Sequence, residues 1–360
     1  MPKSKKIVFL YFLTLFLIIT QLQAIPKHKI VVLIHGTISP FTSFKNFFKK
    51  TKKKPFNFST KKLSCFYQNH LDQSRFNALH KYQPIGELGL QKIENGTANW
   101  QMNEYFAELL RSSYASCSPD KEMQFSFYTF GWDGRISDRK RRKWGKILYL
   151  SLTNEIERLK KTLPPETKIC VEIYGHSHGP NITLNMAYYE NKYRYNLCVC
   201  KLVILGTPIQ RSTAHFATHK MFKKVFHVYS LNDIPQILDQ GLSGSGLSYR
   251  RFESAGPDLK RHPNIIQIKV VSGKYRPTHW ELWFFDINNS NMLYRFFYNK
   301  FLYRKSFPLY PFPIFIFMPR VIKKAKNICP QETDLHVNIS KKNNVLNHLD
   351  FQITVAKKGI

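Results

Sequence analysis

The apolar stretch Ile169-Cys170-Val171-Glu172-Ile173-Tyr174 runs directly into Gly175-His176-Ser177-His178-Gly179, with Pro180 next. Six residues rich in β-branched side chains read as a buried strand. The two glycines permit a sharp break at its end, and a proline suits the first turn of a helix. The segment therefore predicts a strand over 168–174, a tight turn that projects Ser177 from the strand's carboxyl end, and a helix from Asn181 to about Glu190. A strand that feeds a helix in this way belongs to an α/β sheet rather than to a sandwich or a bundle.

The rest of the chain repeats the pattern. Lys29 to Ile34 is a continuous apolar run of the kind used for a strand buried on both faces, ending at His35-Gly36-Thr37. Met123 to Phe130 reads as a second strand, closed by Gly131-Trp132-Asp133-Gly134. Ser137 or Asp138 can cap a helix reaching Thr162, with Trp144, Ile147, Leu148, Leu152, Ile156 and Leu159 at helical spacing and Pro164-Pro165 beyond it. Further strands are expected at Leu197 to Leu205, before Gly206-Thr207-Pro208; at Val225 to Ser230, before Asn232-Asp233; and at Ile265 to Val271, with His279 in the loop that follows. Strands alternating with helices predict a mainly parallel sheet. Residues 41–121 show no clear strand pattern apart from a Pro84 to Gly86 turn and a helical stretch from Trp100 to Tyr114, and read as an insertion or cap. In the tail, the proline-interrupted aromatic run Phe307 to Phe317 excludes an ordinary spanning helix; packing along the domain, docking on a membrane and covering substrate are the readings open to it.

A serine hydroxyl becomes a useful nucleophile when a histidine takes its proton and a carboxylate fixes that histidine's tautomer. Ser177, Asp233 and His279 occur in that order, each at or beyond the carboxyl end of a predicted strand, where open α/β sheets build their sites. Each has a blander reading: Ser177 as a turn serine, Asp233 as a cap for a helix near Pro235 with Asp239 as the competing acid, and His279 as a surface or capping residue with His262 as its competitor. His176 and His178 flank the serine too closely to serve as its base and read as pocket lining or loop supports. His35 reads as a structural support, and Trp132-Asp133-Gly134 as a turn or helix start rather than a second acid.

On the residues Val31-Val32-Leu33-Ile34-His35-Gly36-Thr37, Gly175 to Gly179, Leu205-Gly206-Thr207-Pro208, Asp233 and His279, the chain resembles the α/β-hydrolase superfamily, especially its lipase-like and esterase-like members. The likeness covers about residues 29–40 and 123–290. It implies a mainly parallel central sheet flanked by helices, an insertion after the first core strand and a C-terminal extension. It implies a Ser177, Asp233, His279 triad, an oxyanion hole from the backbone N–H groups of Thr37 and His178, and no cofactor or metal. The implied activity is hydrolysis of carboxylic esters, lipid-like ones among them; acyl transfer, amide cleavage or a silent binding protein on the same scaffold are the alternatives. Pro180 departs from the pattern, since a small residue often follows the glycine there.

An N-terminal basic start (Lys3, Lys5, Lys6), an apolar run from Ile7 to Thr20 and Ala24 predict a secretory leader over 1–24, cleaved or retained as an anchor. The hydrolase domain is then expected over 25–300 and the extension over 301–360, outside the cytoplasm. The net charge of +32 suits attraction to an anionic membrane surface, although Lys, Asn, Ile, Phe and Tyr are raised together, as codon bias would raise them. No motif for nucleic-acid recognition accompanies the charge. Basic clusters stand at Lys49 to Lys54 and Arg139 to Lys143. Of six cysteines, Cys170, Cys198 and Cys200 read as small buried hydrophobes in strands, Cys65 and Cys117 as a candidate disulfide, and no paired zinc-ligand spacing is present.

Overall fold

The computed structural model describes residues 26–37, 82–94, 101–117, 123–135, 137–238, 248–259, 262–285, 307–328, 333–341 and 351–357. Along the chain these form β1 (Lys27–Ile34), β2 (Gly89–Lys92), α1 (Gln101–Ala115), β3 (Met123–Gly131), α2 (Asp138–Thr162), β4 (Lys168–His176) and α3 (Gly179–Tyr193). There follow β5 (Val199–Leu205), β6 (Val225–Tyr229), α4 (Ile234–Leu238), β7 (Ile265–Val271), α5 (Met318–Ile328), β8 (Asp334–Lys341) and β9 (Phe351–Lys357).

These strands make one sheet in the order β9-β8-β7-β6-β5-β4-β1-β3-β2. From β3 to β8 every neighbouring pair is parallel, and the two outer strands, β2 and β9, run antiparallel to theirs. β1 lies in the interior, between β3 and β4, which is why its sequence is apolar without alternation: Ile30, Val32 and Ile34 face the layer formed by α2 and α3, while Val31 and Leu33 face α1, α5 and the aromatic tail. The parallel register brings the carboxyl ends of β1, β4, β5, β6 and β7 to one edge, so Thr37, Ser177, Gly206, Asp233 and His279 converge from separate strands.

Three regions differ from the sequence expectation. Part of the 41–121 segment belongs to the main fold: β2 extends the sheet, and α1 buries Phe106, Ala107, Leu110 and Tyr114 against it; residues 41–81, with Lys49 to Lys54 and Cys65, lie outside the described residues. The C-terminal extension is likewise part of the sheet rather than an appendage. Ile314, Phe315, Ile316 and Phe317 are fully or almost fully buried, and β8 docks parallel to β7 with Leu335, Val337 and Ile339 pointing into the same core. The cysteines also differ. Cys198 is exposed and Cys170 and Cys200 are half-buried, because they lie at the amino-terminal edge of the sheet where its faces are not fully covered.

Within the basic cluster on α2, Arg139, Arg142 and Lys143 are exposed, but Arg141 is buried and donates to Asp138 and Gln210 at 2.7 and 3.0 Å. The leader at 1–24 lies outside the described residues. Among the described residues no helix is long and apolar enough to cross a membrane.

Candidate active site

Ser177 sits at the junction of β4 and α3 with φ 53°. A side-chain-bearing residue occupies the left-handed region at a cost of order 1 kcal/mol or more, and here the surrounding chain imposes it. The Ser177 N–H donates to the Leu205 carbonyl at 2.9 Å, and Pro180, in the first turn of α3, lies directly over Gly175. A Cβ at 175 would come within 2.7 Å of the proline ring, so the glycine makes room for the departure from the resemblance noted above. Gly36 does the same on the other side: a Cβ there would meet the Ser177 Cβ at 2.6 Å. The oxyanion-type loop thus packs against the serine, which remains 9% exposed.

His279 and Asp233 meet as their order predicts. The His279 Nδ1–H donates to Asp233 Oδ1 at 2.9 Å, with both side chains buried. The same oxygen accepts the Gln236 N–H at 3.1 Å at the start of α4, so Asp233 is both the histidine's partner and the helix cap. Its second oxygen, Oδ2, has no hydrogen-bond partner among the described residues and lies against Gly206, where a Cβ would approach it to 2.6 Å and His279 Nδ1 to 3.1 Å. Gly206 has φ +56°, so both its backbone conformation and the space above it call for glycine. The neighbouring turn is held by Gln236, whose amide donates to the Thr207 carbonyl at 2.6 Å, and by Asn181, which donates to the Pro208 carbonyl at 3.1 Å. His262 precedes β7, at the opposite edge of the sheet from Asp233. Asp239 lies outside the described residues.

Of the flanking histidines, His176 is a support. His176 Nε2–H donates to the His279 carbonyl at 3.0 Å, and its ring stacks on Trp283. Burial, and then the neighbouring His279, hold its pKa well below the ordinary range, so the ring is neutral and carries its proton on Nε2, the nitrogen that donates. His35 Nε2 accepts the Trp132 N–H at 3.3 Å, leaving Nδ1–H to donate to the Gly36 carbonyl at 2.7 Å. Trp132 in turn donates its indole N–H to the His35 carbonyl at 2.8 Å and stacks on the imidazole. The Trp132-Asp133-Gly134 segment therefore braces the loop that ends at Thr37. The Thr37 Oγ1 is buried without a hydrogen-bond partner among the described residues, and His178 occupies the position immediately before α3, the positive end of a helix of 15 residues.

Glu281 carries no sequence motif, yet it fixes the loop bearing His279. Its carboxyl group accepts the Thr278 N–H and the Tyr275 hydroxyl, each at 2.7 Å. Burial pushes its pKa up to about 7 from an ordinary 4.5. A raised pKa in the folded state means that stability is fully present below about pH 4.5 and is lost as pH rises through about 7. By the size of that shift the loss is about 3 kcal/mol. Glu281→Gln, whose amide reproduces the protonated acid, should flatten this part of the stability profile. Urea midpoints measured between pH 5 and 8 check it, and an unchanged slope would exclude Glu281 as its source.

The sheet order, the strained serine between β4 and α3, the acid after β6 and the histidine after β7 together define the α/β-hydrolase fold. Among solved structures, the chain is similar to "the putative cell surface hydrolase from Lactobacillus plantarum WCFS1", at 13% identity over 69% of this chain and 84% of that one, with a TM-score of 0.31. No protein-family model and no curated protein matches the sequence.

Proposed function

We propose that the chain is an exported serine hydrolase that cleaves carboxylic esters through an acyl-Ser177 intermediate. The observation that carries this reading is the buried His279–Asp233 hydrogen bond at the same sheet edge as a serine held at φ 53°. Because Nδ1–H is committed to Asp233, Nε2 is the nitrogen left to act as base. It takes the Ser177 hydroxyl proton as Oγ adds to the ester carbonyl, and returns that proton to the departing alkoxide as the C–O bond breaks. Water then repeats the sequence on the acyl-enzyme, releasing the acid and restoring the serine. The N–H groups of Thr37 and His178 are the donors for the tetrahedral oxyanion.

Lipid-like esters are the favoured substrates, and the net charge of +32 supports hydrolysis at an anionic interface. The test is labelling with a fluorophosphonate probe together with turnover of a panel of acyl esters, phospholipids and amides. Wild type should be labelled and Ser177→Ala should not, with ester turnover reduced by about 10³-fold or more. Equal labelling of both proteins would remove Ser177 as nucleophile, and preference for amides would replace the ester assignment.

A further inference from the structure

The outer side of the layer formed by α2 and α3 carries a strip of cations laid over tyrosines. On α2, Arg139, Arg142, Lys143 and Lys146 recur at three- and four-residue spacing, which puts them on one side of the helix, and all four are exposed. Where that side meets α3, the Arg142 guanidinium stands 5.5 Å from the centre of the Tyr188 ring and Lys146 Nζ 5.8 Å from that of Tyr193. Lys192 Nζ lies 5.6 Å from the same Tyr193 ring, and Arg194, next along the chain, is exposed. Residues 139–146 and 188–196 contain one acid, Glu190. It is buried, and its carboxylate is engaged by the Tyr149 hydroxyl at 2.9 Å and by the Asn196 and Leu197 N–H groups at 3.1 Å each. The positive charge of the strip is therefore not neutralised from within these two segments.

The chain also fixes aromatic surface in the same place. After α3 it turns through Arg194 and Asn196, both at φ 56°, a left-handed conformation uncommon for residues other than glycine. The Tyr195 ring then stacks on those of Tyr149 and Tyr193, with centroids 6.0 and 5.9 Å away and planes inclined by 11° and 15°. Tyr195 is nonetheless 54% exposed, and Tyr188 45%. Because these rings lean on one another and on cations, they form a mixed aromatic and cationic surface rather than a row of separate platforms on which bases stack. Tyrosine rings with wet hydroxyls beside lysine and arginine heads are the mixture found at the headgroup level of membranes.

We propose that this α2–α3 strip docks on an anionic lipid bilayer. The lipid phosphates supply the counter-charge that the strip lacks, and Tyr188 and Tyr195 enter the headgroup layer with their hydroxyls toward water. Tyr188 lies nine residues beyond Gly179, about 14 Å along α3, so the contact is separate from Ser177. It gives a location to the anionic interface of the proposed function, but binding does not require Ser177 to react.

The full-length protein carrying Ser177→Ala, which keeps the lipid intact, is co-sedimented with vesicles of phosphatidylglycerol and phosphatidylcholine in equal parts, and with vesicles of phosphatidylcholine alone. Binding should favour the anionic vesicles and weaken as salt rises. Arg142→Gln combined with Lys146→Gln and Lys192→Gln should lower affinity for them by about 10-fold or more. A control combining Lys161→Gln, Lys274→Gln and Arg276→Gln removes the same charge from exposed positions outside the strip, and should lower it by less than about 3-fold. Tyr188→Ser with Tyr195→Ser should weaken the binding that persists at high salt. A strip variant that binds the anionic vesicles as tightly as its parent, or no more weakly than the control variant, overturns the proposal. Displacement of the protein from these vesicles by single-stranded oligothymidylate at equal phosphate concentration would make nucleic acid the partner of the strip and overturn the bilayer.

Discussion

Asp233→Asn should lower ester turnover by about 10³–10⁴-fold while leaving the protein folded. Two features separate the chemical effect from a structural one. Asp233 Oδ1 accepts both the His279 Nδ1–H and the Gln236 N–H, and an asparagine carbonyl can keep both bonds. Asparagine is also as good a helix cap as aspartate, so α4 should persist and urea stability should change by less than about 1 kcal/mol. What the substitution removes is the negative charge facing the imidazolium that forms when His279 takes the serine proton, in a site where both side chains are buried and charge interactions are correspondingly strong. Steady-state turnover of an activated ester, beside a urea titration, gives the two readouts. Asp239→Asn should retain wild-type turnover; if it is the variant that fails while Asp233→Asn works, the acid has been assigned to the wrong strand end.

The parts of this site legible in the sequence are those that local chain geometry dictates. A buried strand leaves an unbroken apolar run, as in β1, and a serine forced to φ 53° leaves glycines around it. The sequence order of Ser177, Asp233 and His279 survives because parallel strands deliver their ends to one edge. A supporting role for His35 and His176 was legible, but the partners of the braces were not. His176 and Trp132 act by donating to the carbonyls of His279 and His35, and a carbonyl acceptor is present at every residue, so it leaves no signature. Glu281 does leave one in retrospect: an acid within Trp280-Glu281-Leu282-Trp283-Phe284 needs a buried partner. The tail was obscured differently. Prolines in the run from Phe307 to Phe317 break any helical or alternating pattern, and β8, with Leu335, Val337 and Ile339 alternating inward, reads as a strand but carries nothing to say which sheet it joins.

Glu172→Ala should destabilise the fold by about 3 kcal/mol without abolishing Ser177 labelling. Glu172 lies on the strand that carries the serine, yet its side chain serves the opposite end of the sheet. It is 1% exposed and pairs with Lys29 at 3.0 Å and Lys201 at 2.8 Å, and it accepts the Tyr114 hydroxyl, which also meets the Tyr174 hydroxyl at 2.7 Å. Removing the carboxylate leaves two ammonium groups, 14% and 20% exposed, without their counter-charge; their partial access to water keeps the expected loss at the lower end for a broken buried pair. Burial alone would raise the Glu172 pKa, but Lys201 and Lys29 outweigh it and the net direction is down. Its contribution is therefore present above the ordinary carboxylate range and lost as pH falls through the depressed folded value. Glu281 acts with the opposite sign, losing its contribution as pH rises through about 7. The two buried acids should thus bound the pH range of greatest stability from either side, so that Glu172→Ala removes part of the acid limb of the urea-midpoint profile while Glu281→Gln removes part of the limb toward neutrality. If Glu172→Ala instead lost labelling with its urea midpoint unchanged, the carboxylate would belong to the chemistry and not to the fold.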